Sequence, residues 1–262
     1  MNGFGKPTIL MAALSSMVFF TANAQADTND DIKINGYIRA VSAYVSKGST
    51  NNPENDNATL QAFLNASYKG FYSAWWGSKL DTSVKALQTG EPAPAPDYYE
   101  NLFLVGYNNK YQDLHYDINL TTFYYPGGKN STGLASRVRL SHPINKKTGN
   151  SVGIFVETYL NDVFYMNKGD TYVELNYNQP LAQKFILDLS TGLNYYTQDG
   201  KTQYRPVDNT PKHFVFRHAS IQLSHPVINE NINAWIKYII GGENRAAAHQ
   251  KNMAVFGIQY NF

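Results

Sequence analysis

Along most of the chain, apolar and polar residues alternate one for one. LQAFLNASY (60–68) sets Leu60, Ala62, Leu64, Ala66 and Tyr68 on one face of an extended segment and Gln61, Phe63, Asn65 and Ser67 on the other. LHYDINLTTFYY (114–125) sets Leu114, Tyr116, Ile118 and Leu120 against His115, Asp117, Asn119 and Thr121. LASRVRLSH (134–142) sets Leu134, Val138 and Leu140 against Arg137 and Arg139. VGIFVETYL, ILDLSTGLNYY, FRHASIQLS and INAWIKYII repeat the pattern. The final decapeptide, MAVFGIQYNF, places Ala254, Phe256, Ile258, Tyr260 and Phe262 opposite Val255, Gly257, Gln259 and Asn261. Twelve such runs are predicted as strands, at 32–46, 58–69, 71–82, 98–109, 112–125, 132–143, 151–161, 170–179, 184–197, 213–225, 231–242 and 251–262. The first and fourth alternate poorly.

The connections alternate in length. Short ones follow the even-numbered runs from the second to the tenth, whereas most of the others are longer and polar, such as 83–97 and 199–212. Pro143, Pro180 and Pro226, in LSHPIN, NQPL and LSHPVIN, close even-numbered runs at the short-turn side. Proline donates no ladder hydrogen bond, so it suits a strand end. One rim of short turns, one of long loops, and an even strand count describe a transmembrane antiparallel up-and-down β-barrel. A soluble sandwich usually mixes its loop lengths between ends. Closure also accounts for the last run: in lipid every backbone group needs a partner, so the final strand is expected to pair with the first. Tyr260 and Phe262 then fall at an interface where aromatic girdles belong, and a terminal aromatic is a general mark of bacterial outer-membrane proteins, resembling the signal read by the barrel-assembly machinery.

Composition adds to this picture. The chain carries 20 Tyr, 14 Phe and 3 Trp, yet only 16% of it is charged, against about 25% in ordinary soluble domains. Residues 1–26 have one cation, Lys6, then a short apolar run and small-x-small sites at Ala22-Asn23-Ala24 and Ala24-Gln25-Ala26. That is the form of a secretory signal, with cleavage expected after Ala24 or Ala26, leaving 27–262 as one barrel. Cleavage removes one of the 22 cations and none of the 20 anions, so the net charge becomes +1 and nucleic acid is not expected as a partner. There is no cysteine, which excludes disulfides and thiolate chemistry.

Four stretches carry a narrower resemblance. YVSKGS (44–49), GFYSAWWGS (70–78), DYYENLFLVGY (97–107) and TFYYPGG (122–128) resemble, in the same order, the landmarks of the TorF-type porin family. The chain departs from that pattern at Lys47, where the family implies arginine before the glycine, and at Asn101-Leu102, which replace a second acidic residue. The resemblance implies an exported Gram-negative protein, an outer-membrane barrel and a porin-like role.

By the register above, the interior receives Arg39, Lys79, Arg137, Arg139 and Lys237 together with Asp81, Glu100, Asp117, Glu157, Glu174 and Asp188. These are the candidate pore-lining residues. Asp117 and Glu157 are expected to flank the Arg137/Arg139 strand, because buried charges persist only when paired or wetted. Such a network can brace the barrel, sort solutes by charge, or both. Trp75, Phe123, Tyr125, Phe155, Tyr159, Tyr172 and Trp235 are predicted to point inward as well. Twelve strands about 4.8 Å apart, tilted about 40°, close on a backbone radius of about 12 Å, which leaves a channel of about 10 Å at most. The expected function is passive diffusion of small polar solutes through a narrow charged lumen, in contact with outer-membrane lipid. A structural or adhesive barrel without an open pore is the alternative. Catalysis is not expected, and no cofactor or metal is. The two Ser–His pairs, Ser141-His142 and Ser224-His225, are adjacent in sequence and so point to opposite faces of a strand, and no GxSxG, HExxH or phosphate-binding glycine loop occurs.

Overall fold

A computed structural model describes residues 31–50, 56–197 and 212–262. The expected signal segment 1–26 and most of the loop at 199–212 lie outside the described residues. The twelve strands are β1 (Lys33–Val41), β2 (Thr59–Tyr68), β3 (Phe71–Lys79), β4 (Tyr99–Tyr111), β5 (Leu114–Tyr124), β6 (Gly133–Asn145), β7 (Asn150–Tyr159), β8 (Thr171–Pro180), β9 (Ile186–Tyr195), β10 (Phe214–Pro226), β11 (Ile232–Gly241) and β12 (Met253–Asn261). Each pairs antiparallel with its sequence neighbours, and β1 pairs with β12 to close the ring. The closing seam runs from Tyr37↔Asn261 to Val41↔Gly257. Beyond it, Gly36 and Phe262 exchange backbone hydrogen bonds of 2.9 and 3.0 Å. A six-residue helix, α1 (Val84–Thr89), interrupts the β3–β4 connection, with the Ser83 side chain accepting from the Ala86 N–H.

The period-2 pattern settles which face is which. The outward register is apolar: Ile34, Ile38, Leu60, Leu64, Phe103, Val105, Ile118, Leu120, Ile236, Ile240, Phe256 and Ile258 are all exposed. Aromatics gather at both ends of this band. Phe71 lies on Tyr107 at the short-turn rim, with ring centroids 4.7 Å apart, and Tyr195 lies on Phe214 at the long-loop rim, 4.9 Å apart. The inward register is polar or aromatic and mostly buried. A soluble protein buries its apolar face; this barrel displays it. Pro180 and Pro226 are the last residues of β8 and β10, and Pro143 sits at a register shift near the end of β6.

The first strand is shorter than the alternation predicts. It stops at Val41 instead of continuing to residue 46, and residues 42–50 turn into the barrel, burying Tyr44, Val45, Gly48, Ser49 and Thr50. The weak alternation of 42–50 is the physical sign: Tyr44 and Val45 are consecutive and both want burial, which a two-faced strand cannot provide.

Candidate functional site

Eleven charged residues are candidates for the lumen. Nine of them stand on the inward register: Arg39 on β1, Glu100 on β4, Asp117 on β5, Arg137 and Arg139 on β6, Glu157 on β7, Glu174 on β8, Asp188 on β9 and Lys237 on β11. Register places Arg137 beside Glu157 and Asp117 beside Arg139. Arg137 holds Glu157 through Nε (2.7 Å) and Nη2 (2.6 Å), both to Oε2, and Glu157 is fully buried. The Arg137 guanidinium lies 5.0 Å from the Phe123 ring centroid, and that of Arg139 lies 5.1 Å from Phe155. Asp117 accepts from Tyr72 Oη and from Asn119 Nδ2. Arg39 donates from Nε to Gln61 Oε1 at 2.5 Å, and Asp188 accepts from Asn178 Nδ2 at 2.7 Å. Tyr172 Oη donates to Glu174 Oε2 and lies 2.7 Å from His218 Nε2.

Two expectations about facing fail. Lys79 and Trp75 are on the outward register of β3, and Tyr72, Ala74, Trp76 and Ser78 point inward instead. In FYSAWWGS both alternating sets contain an aromatic, so the pattern does not decide. The neighbours do: Ser78 pairs across to inward Glu100 and Gln61, and Trp76 to buried Leu102. Lys79 is the last residue of β3, where its long stem can carry the ammonium past the apolar band. Asp81 lies beyond β3 at the long-loop rim, where Oδ2 accepts from the Asn57 N–H at 3.0 Å. Among the aromatics, Phe123, Phe155, Tyr159, Tyr172 and Trp235 face inward as expected, and Tyr125 follows β5 rather than belonging to it. The sequence reading passed over Tyr37, Phe63, Tyr72 and Trp76 in the interior, and the cations Lys47, Arg217 and Arg245.

Lys47 is the largest of these omissions. Ser46 and Ser49 exchange backbone hydrogen bonds of 2.7 and 3.0 Å around Lys47 and Gly48, whose φ values are 51 and 75°. Two consecutive left-handed residues define the tight turn of a two-residue hairpin. At its tip, the Lys47 ammonium pairs with Glu157, on the oxygen that Arg137 does not use. It also lies 5.0 Å from the Tyr159 ring centroid and 5.7 Å from that of Tyr172. Tyr44 Oη donates to Glu100 Oε2 at 2.5 Å, and Tyr125 Oη donates to the other oxygen of that carboxylate at 2.8 Å. Burial, and then the adjacent Glu100 carboxylate, raise the Tyr44 phenol well above its ordinary value, so it remains a donor. Tyr44 also packs on Trp76, with ring centroids 6.3 Å apart. The four stretches quoted in the sequence therefore meet in space: Tyr44 from the first, Trp76 from the second, Glu100 from the third and Tyr125 from the fourth.

At the same rim, described residues of three later connections are linked to one another and to this turn. Asp170 is fully buried and accepts from the N–H groups of Asn167 and Thr197 (2.6 and 2.9 Å), and Arg245 pairs with it. Gln250 Nε2 donates to Ser49 Oγ at 2.5 Å, tying the last loop to the first. Toward the short-turn rim the inward side chains become half-buried, as at Asp117, Asp188, His115 and Asn176. The interior is thus a polar vestibule at one end and a packed, charge-paired floor toward the other. Among the described residues no group of three or more His, Asp or Glu is arranged to hold a metal ion.

In overall form the chain is similar to the KdgM porin, with a TM-score of 0.54 at 8% identity over 88% of this chain and 99% of that one. It is also similar to the NanC porin, with a TM-score of 0.51 at 12% identity and the same two coverages. At such identities the likeness is one of fold. No curated protein matches the sequence. Residues 24–215 match the model of a family described as bacterial protein of unknown function (Gcw_chp), and the chain belongs to that family.

Proposed function

We propose that this protein is a porin-like channel of the bacterial outer membrane, passing small polar solutes through a narrow charged bore. One observation carries the reading: the barrel is apolar outside and carries its acidic and basic side chains inside. Apolar side chains at Ile34, Ile38, Leu60, Phe103 and Val105 meet the surroundings, while Arg39, Glu100, Arg137, Glu157, Glu174 and Lys237 are enclosed. On the outward register of the strands, Lys79 is the one lysine, arginine or acidic side chain, and it stands at a strand end. Strands of 9–13 residues fit the roughly 9–11 that cross a bilayer when tilted, and closure leaves no unpaired edge in lipid. The porin likeness in fold and the TorF-type landmarks support the same assignment, and assembly through the barrel-assembly machinery follows from an outer-membrane address. In this orientation the long loops face outside and the short turns face the periplasm.

The packed floor beneath the long loops favours a second reading, a structural or adhesive barrel that never opens. Proteoliposome swelling by small sugars and amino acids separates the two, using the wild type and a variant lacking residues 44–49. Permeation by either protein supports a channel; impermeability of both refutes it.

A further inference from the structure

The segment 42–50 crosses the bore and touches it at four points around the ring. It leaves from β1; Tyr44 reaches Glu100 on β4; Lys47 reaches Glu157 on β7; Gly48 lies against His218 on β10. In the closed twelve-strand ring these strands are three apart, so the contacts fall at successive quarter turns. β7 is diametrically opposite β1. Val45 completes the seat, packing with Val41, Trp235, Ile239 and Val255. A segment held in this way lies across the bore.

We propose that this hairpin is the gate of the channel and that Lys47 is its latch, a tethered ammonium lodged in a cage made by the Glu157 carboxylate and the rings of Tyr159 and Tyr172. The proposal rests on the channel reading above and names how that channel is closed. Three features make a latch rather than a fixed wall. The ammonium arrives on a two-residue turn, not on a strand, so its withdrawal breaks no rung of the barrel. Lys47 holds a left-handed conformation, which costs a non-glycine residue stability and persists only where its surroundings impose it. Glu157 keeps Arg137 as a partner on its other oxygen, so the carboxylate is not stranded when the tip leaves. An ammonium facing aromatic rings and a buried carboxylate is a strong but exchangeable arrangement. Gly48 is required next to it for two reasons: its φ is 75°, and a Cβ there would collide with the His218 ring.

Withdrawal also sets the selectivity of the open state. With the tip seated, Lys47 and Arg137 face the carboxylates of Glu157 and Glu100, two cations to two anions. Withdrawing Lys47 leaves Arg137 alone against those two carboxylates, so the opened bore favours cations.

The test uses a reporter cysteine, since the protein has none. Val45→Cys is buried while the hairpin is seated. It is combined with Lys47→Ala, Lys47→Arg or Gly48→Val in the full-length barrel, each checked for heat-modifiable migration. Maleimide labelling is expected to be slow in the parent and in Lys47→Arg. In Lys47→Ala and Gly48→Val it should rise by at least about tenfold, the factor that a small part of a buried ion pair supplies. Planar-bilayer conductance should rise in the same two variants, with the reversal potential in a salt gradient moving toward cations. Labelling that is equally slow in all backgrounds, or already fast in the parent, overturns the latch. Fast labelling in Lys47→Ala with no gain in conductance overturns the gate. The channel reading fails separately, if the barrel lacking 44–49 also passes nothing.

Discussion

Replacing Glu157 by glutamine should destabilise the barrel more than any single loss of a cation around it. The carboxylate is fully buried and serves two partners, Arg137 on Oε2 and Lys47 on Oε1. Glutamine keeps the shape but removes the charge that both cations contact directly. Breaking a buried ion pair by deleting one partner costs about 3–5 kcal/mol. The amide oxygen can still accept from one cation and returns about 1 kcal/mol, so we expect a net loss of about 2–4 kcal/mol. Arg137→Ala is milder in charge terms, because Lys47 still compensates Glu157, although the stacking over Phe123 is lost. Its expected cost is about 1–2 kcal/mol, part of it the cation–π contact. The same logic makes the sites non-additive. Lys47→Ala in the Glu157→Gln background removes a stranded cation, so the double change should cost less than the sum of the singles by about 1–3 kcal/mol. Urea unfolding in lipid vesicles, followed by tryptophan fluorescence and by heat-modifiable migration, measures the three single variants and the double one. A Glu157→Gln variant within about 0.5 kcal/mol of the parent, or strict additivity with Lys47→Ala, would refute the reasoning, since a charge that matters so little is not holding two cations.

Three further predictions concern assembly, orientation and titration. Deleting Phe262 removes two backbone bonds to Gly36 and the ring packed on that glycine; outer-membrane yield of folded protein should fall, and an unchanged yield would separate barrel closure from this residue. A membrane-impermeant maleimide on whole cells should label Ala93→Cys in the β3–β4 loop and not Lys147→Cys in the β6–β7 turn, and the opposite labelling would invert the orientation. The hydrogen bond from Lys146, 2.7 Å away, holds the Asp113 carboxyl below the usual aspartate value of 3.8. Whatever that pair adds to the folded state is therefore present above the ordinary carboxylate range and lost as pH falls through the depressed value; because the pair is exposed and screened, carbon-13 titration at high salt should move Asp113 back toward 3.8, whereas a salt-independent value would point to another cause.

The barrel was legible in the sequence because its physics is periodic. In a strand that faces lipid on one side and the interior on the other, every second residue is under the same constraint, so β2, β5, β6 and β12 could be assigned face by face from alternation alone. The ladder then carried that information to neighbours: Arg137 beside Glu157 and Asp117 beside Arg139 follow from the strand order and from charge pairing. Where two aromatics are adjacent the signal vanishes. Trp75 and Trp76 fit either face, and only the register against β2 and β4 puts Trp76 inside, taking Lys79 outside with Trp75.

The hairpin at 42–50 was beyond the reach of periodicity for a different reason. Its residues answer to partners far along the chain, on β4, β7 and β10, and no local spacing encodes them. What the sequence did hold was four short stretches, at 44–49, 70–78, 97–107 and 122–128, with nothing in their spacing to connect them. Tyr44, Trp76, Glu100 and Tyr125 supply the connection, since one carboxylate accepts from both tyrosines and the tryptophan packs on one of them. A lysine next to a glycine reads as an ordinary polar turn from sequence alone. The positive φ at both residues, and the buried carboxylate at the far side of the ring, turn the same dipeptide into a contact that spans the bore. The residues that shape the interior are therefore of two kinds: those fixed by the lattice of the sheet, which alternation reveals, and those delivered by a loop, which only the closed ring brings to their partners.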